Sequence, residues 1–112
     1  MTVKNRLRLG LRRVGIDLAR YPESDPMFGV VRLLAHFGVG CVVDVGANSG
    51  GFASTIRNLG HSGRIVSFEP LSGPFELLAA RAAKDPPWEA RRVAAGDQDC
   101  DIEINIAGNA AA

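Results

Sequence analysis

The segment VVDVGANSGGF, residues 42–52, constrains the fold of this chain more than any other part of the sequence. Its β-branched residues predict a buried strand over Cys41–Val45, and the glycines that follow predict a tight turn into a helix beginning near Gly51. A strand, a glycine turn and a helix form the unit from which parallel α/β sheets are built. The sequence therefore predicts an α/β fold with a ligand site where this strand ends.

The elements that follow repeat this order. Apolar residues at helical spacing extend from Gly51 to Leu59, and a second strand is predicted over 64–69. The next helix begins near Ser72 and Pro74 and stops before Pro86-Pro87, and a third strand is predicted over 91–95. Strands that alternate with helices pair in parallel through right-handed crossovers, so we expect an open, Rossmann-like sheet of three strands.

The last part of the chain has a different periodicity. Ile102, Ile104 and Ile106 alternate with polar residues, a period of two that is typical of a half-exposed, antiparallel strand. We therefore expect a C-terminal β ribbon in an α/β domain that spans residues 26–112. Trp88 is expected to fill the core of that domain.

Residues 1–25 are predicted to form a basic amphipathic helix and a linker. Apolar residues in the segment 3–20 recur at spacings of four and three, which is one stripe of a helix: Val3, Leu7, Leu11, Val14 and Leu18. Residues 1–20 also carry six cations, Lys4, Arg6, Arg8, Arg12, Arg13 and Arg20, against the single acid Asp17. Such a helix could lie on an anionic membrane surface. We expect instead that it packs on the domain with its basic face in solvent.

The linker is followed by signals for a second N-terminal helix. Asp25 and Pro26 predict an N-cap followed by proline in the first turn, and Gly38 or Gly40 predicts the end of the helix. The chain as a whole has a formal net charge of only +1, which argues against a nucleic-acid partner.

Cysteine usage bears on the cellular compartment. The two cysteines, Cys41 and Cys100, lack metal-site spacing, and the Cys41 thiol is expected to be buried in its strand. No signal peptide and no apolar run of membrane-spanning length is evident. These features predict a reducing, cytoplasmic setting and no metal site.

Three ligands compete for the glycine turn. A phosphate-binding P-loop would use Gly46 and Gly51, but Phe52 stands where the lysine is required. A dinucleotide fingerprint would place Asn48 where glycine lets the backbone approach a pyrophosphate. Glu69 nevertheless suits the ribose of NAD, so a nicotinamide-dependent oxidoreductase fragment stays open as an alternative.

S-adenosylmethionine is the third ligand, and it has an adenosine but no pyrophosphate. A side chain at Asn48 is therefore admissible. The cofactor also carries two positive groups, an ammonium and a sulfonium, which would explain the carboxylate of Asp44 in an otherwise apolar strand.

The motifs DVGANSGGF, GRIVSFEP and VAAGD together resemble those of S-adenosylmethionine-dependent methyltransferases of the FkbM type. The resemblance covers residues 37–109. It implies that Asp44 lies near the methionine part of the cofactor and that Glu69 accepts hydrogen bonds from both ribose hydroxyls. It also implies that the adenosyl group lies over a loop formed by Gly46, Asn48 and Gly50.

The resemblance assigns three further residues to the adenine. Pro70 and Leu71 would lie against the ring, and Asp97 would meet its amino group. The Gly-Asp-Gln-Asp segment that contains Asp97 is also typical of a plain hairpin turn. No residue of the chain is assigned as a catalytic base.

FkbM-type enzymes are mainly O-methyltransferases of secondary metabolites and of glycolipid sugars, so the resemblance implies a small-molecule or glycolipid hydroxyl acceptor. The family's sheet has seven strands in the order 3-2-1-4-5-7-6. Only its first three strands and the ribbon precede Ala112, so we expect a truncated enzyme, half of a split enzyme, or a non-catalytic remnant that binds cofactor or protein. Without strand four, residues 41–45 would form an uncovered apolar edge that favours self-association or a partner chain.

Overall fold

A computed structural model of the protein describes residues 2–16 and 23–108. The described residues form an α/β structure with a three-stranded parallel sheet, which confirms the predicted fold class. The elements in chain order are α1 (Val3–Arg12), α2 (Phe28–His36), β1 (Cys41–Val45), α3 (Gly51–Asn58), β2 (Arg64–Phe68), α4 (Ser72–Ala82) and β3 (Trp88–Arg91).

The sheet has the strand order β1-β2-β3 and parallel pairing throughout. Cys41 pairs with Arg64 at the start of β1, and Ile65 pairs with Trp88 at the start of β3. Both crossovers proceed across the sheet in the same direction. Right-handed crossovers therefore place α3 and α4 on one face of the sheet.

The core lies between that face and the helices. Ile56 of α3, Ile65 of β2 and Leu78 of α4 are fully buried. Trp88 is also buried, which confirms its predicted role, and its indole Nε1 donates a hydrogen bond to Ser67 Oγ at 3.0 Å. This hydrogen bond satisfies the indole N–H inside the core, where an unpaired donor would be costly.

The opposite face of the sheet is open at β1. Val43 and Val45 are 60% and 59% exposed, and Cys41 is exposed rather than buried. The expectation for the Cys41 thiol was therefore wrong, because alternation along β1 directs Cys41 away from the helices. Within the described sheet β1 is an edge strand, as expected.

Two predicted strands differ from the structure. The third strand begins at Trp88 and ends at Arg91, so it starts three residues before its predicted start. Burial of Trp88 sets the register of this strand, in which Trp88 pairs with Ile65. The predicted C-terminal ribbon is wrong: residues 101–108 contain no strand, and Ile102, Ile104 and Ile106 are exposed. A period of two forms a strand only where a pairing partner is available.

The N-terminal helices also differ in extent. The first predicted helix ends at Arg12 rather than near residue 20, and Leu18 lies outside the described residues. The second helix begins at Phe28, because Asp25 Oδ1 accepts from Met27 N at 2.9 Å and caps the preceding turn instead.

The expectation that the first helix packs on the domain is wrong for the described residues. No residue of α1 is buried: Val3, Leu7 and Leu9 are exposed, and Leu11 is half-buried. Neither α1 nor any other helix within 2–16 and 23–108 has the length and apolar character needed to cross a bilayer.

Arg57 joins α3 to the segments that precede β2 and β3. Its Nε donates to Asp85 Oδ2 at 2.7 Å, and its Nη1 donates to the carbonyl oxygens of His61 and Gly63 at 2.8 and 2.6 Å. The guanidinium is largely shielded from solvent, so these three bonds lie in a part-buried environment. Hydrogen bonds to a charged group in such surroundings contribute more than exposed ones.

We expect Arg57→Gln to lower the free energy of unfolding by about 1–3 kcal/mol, because Asp85 and two carbonyls lose their donor. Urea denaturation followed by circular dichroism measures this change. Arg64→Gln is the matched control, since Arg64 bonds Glu89 at an exposed site. Equal destabilisation by the two variants would contradict the structural role assigned to Arg57.

Candidate functional site

The turn after β1 is anchored to the end of β2. The backbone N–H groups of Gly46 and Ala47 both donate to the carbonyl oxygen of Phe68, at 3.0 and 2.9 Å. Phe68 is the last residue of β2, and Glu69 follows it directly. The glycine turn and Glu69 are therefore held together at the carboxyl edge of the sheet, where parallel α/β folds bind ligands.

Three residues of the turn have positive φ angles: Gly46 at 71°, Asn48 at 52° and Gly50 at 92°. Asparagine is the non-glycine residue that best tolerates this conformation. The side chain of Asn48 is exposed at the tip of the turn. The turn therefore presents an amide group where a dinucleotide fingerprint has a bare backbone.

Gly50 has a steric reason to be glycine. It caps α3, and a Cβ there would lie 3.1 Å from Leu78 Cδ1 and from the ring of Trp88. Packing of the turn on the core thus explains why position 50 is a glycine. The role that the resemblance implies for Gly50 beneath an adenosyl group is compatible with this packing.

Asp44 lies near the end of β1 and is partly buried on the helix-covered face. Ser67 Oγ lies 3.4 Å from Asp44 Oδ2 and donates to it, while accepting from Trp88 Nε1. The indole thereby orients the hydroxyl proton toward the carboxylate. Burial raises the pKa of Asp44 above its ordinary value, and the bond from Ser67 opposes that shift.

Ser67 is a residue that the sequence reasoning missed. It is fully buried, is the penultimate residue of β2, and pairs with Asp44 across the sheet. A hydroxyl inside the apolar run IVSF could have signalled a buried partner, because buried polar groups are nearly always hydrogen-bonded.

Glu69 is buried, with 6% of its surface exposed. Its backbone N–H donates to the Arg91 carbonyl at 3.1 Å, which fixes the residue against β3. Among the described residues, none donates a hydrogen bond to its carboxylate. The Glu69 oxygens are not among the enclosed, unpaired polar atoms of the described residues, so they reach solvent at the end of an otherwise buried side chain and can accept hydrogen bonds from a ligand.

Two of the three residues assigned to adenine line an adjoining cleft, and Leu71 does not. Asp97 and Pro70 line it, together with Ile102 and Ile104, and a neighbouring part of the cleft is lined by Phe68. Asp97 is exposed in an irregular segment. Neither part of this cleft is lined by Asp44 or the glycine turn, so the structure associates Asp97 with the β2–β3 end of the site only.

Leu71 and Pro70 lead from β2 into α4. Leu71 occupies the N-cap position of α4 and is half-buried, and the Pro70 carbonyl accepts from Arg92 Nε at 3.3 Å. Within the described ranges, no group of three or more His, Cys, Asp or Glu residues could hold a metal ion.

The chain was compared with known proteins at three levels. No model of a known protein family matches it, and neither curated proteins nor solved structures give a significant match.

Steric crowding at Gly50 yields a stability prediction. Gly50→Ala places a β-carbon against Leu78 and Trp88 in an unfavourable φ region, so we expect a loss of about 1–3 kcal/mol in the free energy of unfolding. Gly51→Ala is the control, because a Cβ at Gly51 meets nothing within 4 Å and the residue begins a helix. Chemical denaturation of both variants checks the prediction, and a stable Gly50→Ala protein would refute it.

Partial burial of Asp44 yields a pH prediction. Because the pKa is raised above 3.8 in the folded protein, the native state binds a proton more tightly than the unfolded state. The contribution of Asp44 to stability should therefore fall as the pH rises from below 3.8 through the raised pKa. Asp44→Asn removes this titration, so we expect it to stabilise the protein at neutral pH and to have little effect at pH values where Asp44 is protonated.

Denaturation of wild type and Asp44→Asn at neutral and acidic pH provides the measurement. A stability difference that is the same at both pH values would contradict the desolvation of Asp44.

Proposed function

We propose that this chain binds S-adenosylmethionine and forms the cofactor site of an O-methyltransferase of the FkbM type. The observation that carries the proposal is the carboxylate of Glu69, which has no donor among the described residues, keeps its oxygens accessible on an otherwise buried side chain, and lies beside the glycine turn at the carboxyl edge of a parallel sheet. A carboxylate in this place can accept two hydrogen bonds from the vicinal hydroxyls of a ribose.

The carboxylate of Asp44 is the reason to propose S-adenosylmethionine rather than NAD. It precedes Gly46 by two residues, and burial disfavours its charged form. A cationic ligand group nearby would compensate that cost, whereas a pyrophosphate would increase it through like-charge repulsion. The ammonium and sulfonium of S-adenosylmethionine therefore suit this turn better than the pyrophosphate of NAD.

The residues of this chain would bind and orient the cofactor. Glu69 would hold the ribose and Asp44 the ammonium, with the hydroxyl of Ser67 keeping the Asp44 carboxylate in position. Asp97 and Pro70, in the adjoining cleft, would contact the adenine. The cofactor supplies a methyl group activated on a sulfonium. The protein's contribution to rate would come from holding that group in line with an acceptor hydroxyl.

A nicotinamide-dependent oxidoreductase is the second candidate, and it rests on Glu69, which would serve the ribose of NAD equally well. A protein that binds the cofactor without turnover would use the same residues as the methyltransferase. Binding measurements distinguish the methyltransferase from the oxidoreductase. Turnover with a hydroxyl acceptor distinguishes the methyltransferase from a protein that only binds the cofactor.

We expect calorimetry to detect binding of S-adenosylmethionine and S-adenosylhomocysteine but not of NAD. Glu69→Gln should weaken the binding of both sulfur ligands about ten- to a hundred-fold, because hydrogen bonds to a charged acceptor contribute about 1.5–3 kcal/mol. Glu76→Gln is the matched control, an exposed glutamate on α4. Binding of NAD alone, or unchanged affinity in Glu69→Gln, would refute the proposal.

A further inference from the structure

The apolar stripe of α1 is exposed at three of its four positions, and its fourth residue, Leu11, is half-buried. Val3, Leu7 and Leu11 follow one another at spacings of four, and Val14 continues the stripe in the turn beyond the helix. Val3 is 84% exposed, Leu7 54% and Val14 71%. No residue of α1 is buried, so the described part of the molecule does not cover this stripe.

Local hydrogen bonds within residues 2–16 stabilise both ends of α1. Thr2 Oγ1 accepts from Asn5 N at 3.2 Å at the beginning, and Ile16 N donates to the Leu11 carbonyl at 3.0 Å beyond the end. These local bonds favour the helix without support from the α/β domain. The amphipathic surface is therefore set by residues 2–16 themselves.

The charges on α1 have one sign and surround the stripe. Residues 2–16 contain five cations and no acid. At about 100° per residue, Lys4 lies at one border of the stripe and Arg6 and Arg13 lie at the other. Arg8 lies beyond Lys4 on the same side of the stripe, about as far from its centre as Arg6, and Arg12 lies toward the opposite side of the helix.

This arrangement is complementary to an anionic lipid surface. Long cationic side chains at the borders of an apolar stripe can reach lipid phosphates while the stripe enters the acyl boundary. A nucleic acid would use the cations but leave the valine and leucine side chains in water. The combination of stripe and flanking charge favours a bilayer over a polyanion.

We propose that α1 lies in the interface of an anionic phospholipid bilayer and holds the α/β domain at the membrane surface. The helix has ten residues, so this attachment is peripheral and reversible. Anionic headgroups attract the flanking cations, and insertion of the stripe provides the apolar contribution. This inference rests on α1 alone and does not depend on the cofactor.

Sedimentation of the full chain with vesicles tests the proposal. We expect binding to vesicles of equal parts phosphatidylglycerol and phosphatidylcholine, weaker binding as salt is added, and no comparable binding to pure phosphatidylcholine. Leu7→Gln should weaken binding about tenfold, because it removes one apolar side chain from the stripe without changing charge. Since Leu7 is exposed, the variant should fold normally.

Leu9→Gln is the matched control. Leu9 is also exposed, but it projects from the polar side of α1, so its replacement should leave vesicle binding unchanged. Equal losses in the two variants, or equal binding to charged and neutral vesicles, would overturn the proposal. Binding to RNA that Leu7→Gln leaves unchanged, without binding to vesicles, would identify a polyanion as the ligand instead.

Discussion

Two backbone N–H groups that share one carbonyl oxygen determine the geometry of the candidate site. Gly46 and Ala47 both donate to Phe68, which fixes the glycine turn against the end of β2. The next residue, Glu69, is in turn held to β3 through Arg91. Because these are main-chain bonds, the site's position depends on the sheet itself rather than on flexible side chains. A parallel sheet with a different register would separate the turn from Glu69.

The two carboxylates at this edge have different surroundings. Asp44 has a hydroxyl donor in Ser67, which is itself oriented by the core residue Trp88. Glu69 is more deeply buried and lacks a described donor. One position therefore suits a cationic group and the other suits hydroxyl donors. A nucleoside that carries positive charge combines both properties, and this combination underlies the proposed cofactor.

Local signals in the sequence were sufficient for much of the fold. Glycine and proline mark the ends of α3 and α4, and the β-branched run marks β1 with its observed bounds. Asp44 and Glu69 could be placed at the carboxyl edge because each lies at or next to the end of a predicted strand. Whether they bind a cofactor stays a prediction.

Tertiary packing decided the features that the sequence did not reveal. Burial of Trp88 places β3 closer to the N-terminus than the sequence predicted. Cys41 is exposed because it lies on the open face of β1. The role of Ser67 depends on its cross-strand register with Asp44, which no local pattern encodes. At Ile102, Ile104 and Ile106 the local pattern predicts a strand, but no described strand pairs with these residues and none forms.

The register of the sheet has a consequence for how the chain folds. Cys41 pairs with Arg64 and Ile65 pairs with Trp88, so the two strand–helix–strand units have the same separation in sequence. Each pairing joins consecutive strands and closes a loop of the same length, so the entropic cost of closure is equal for both. Neither unit has a topological advantage in nucleation. The order of assembly then depends on side-chain burial, to which the first unit contributes Ile56 and the second contributes Leu78 and Trp88.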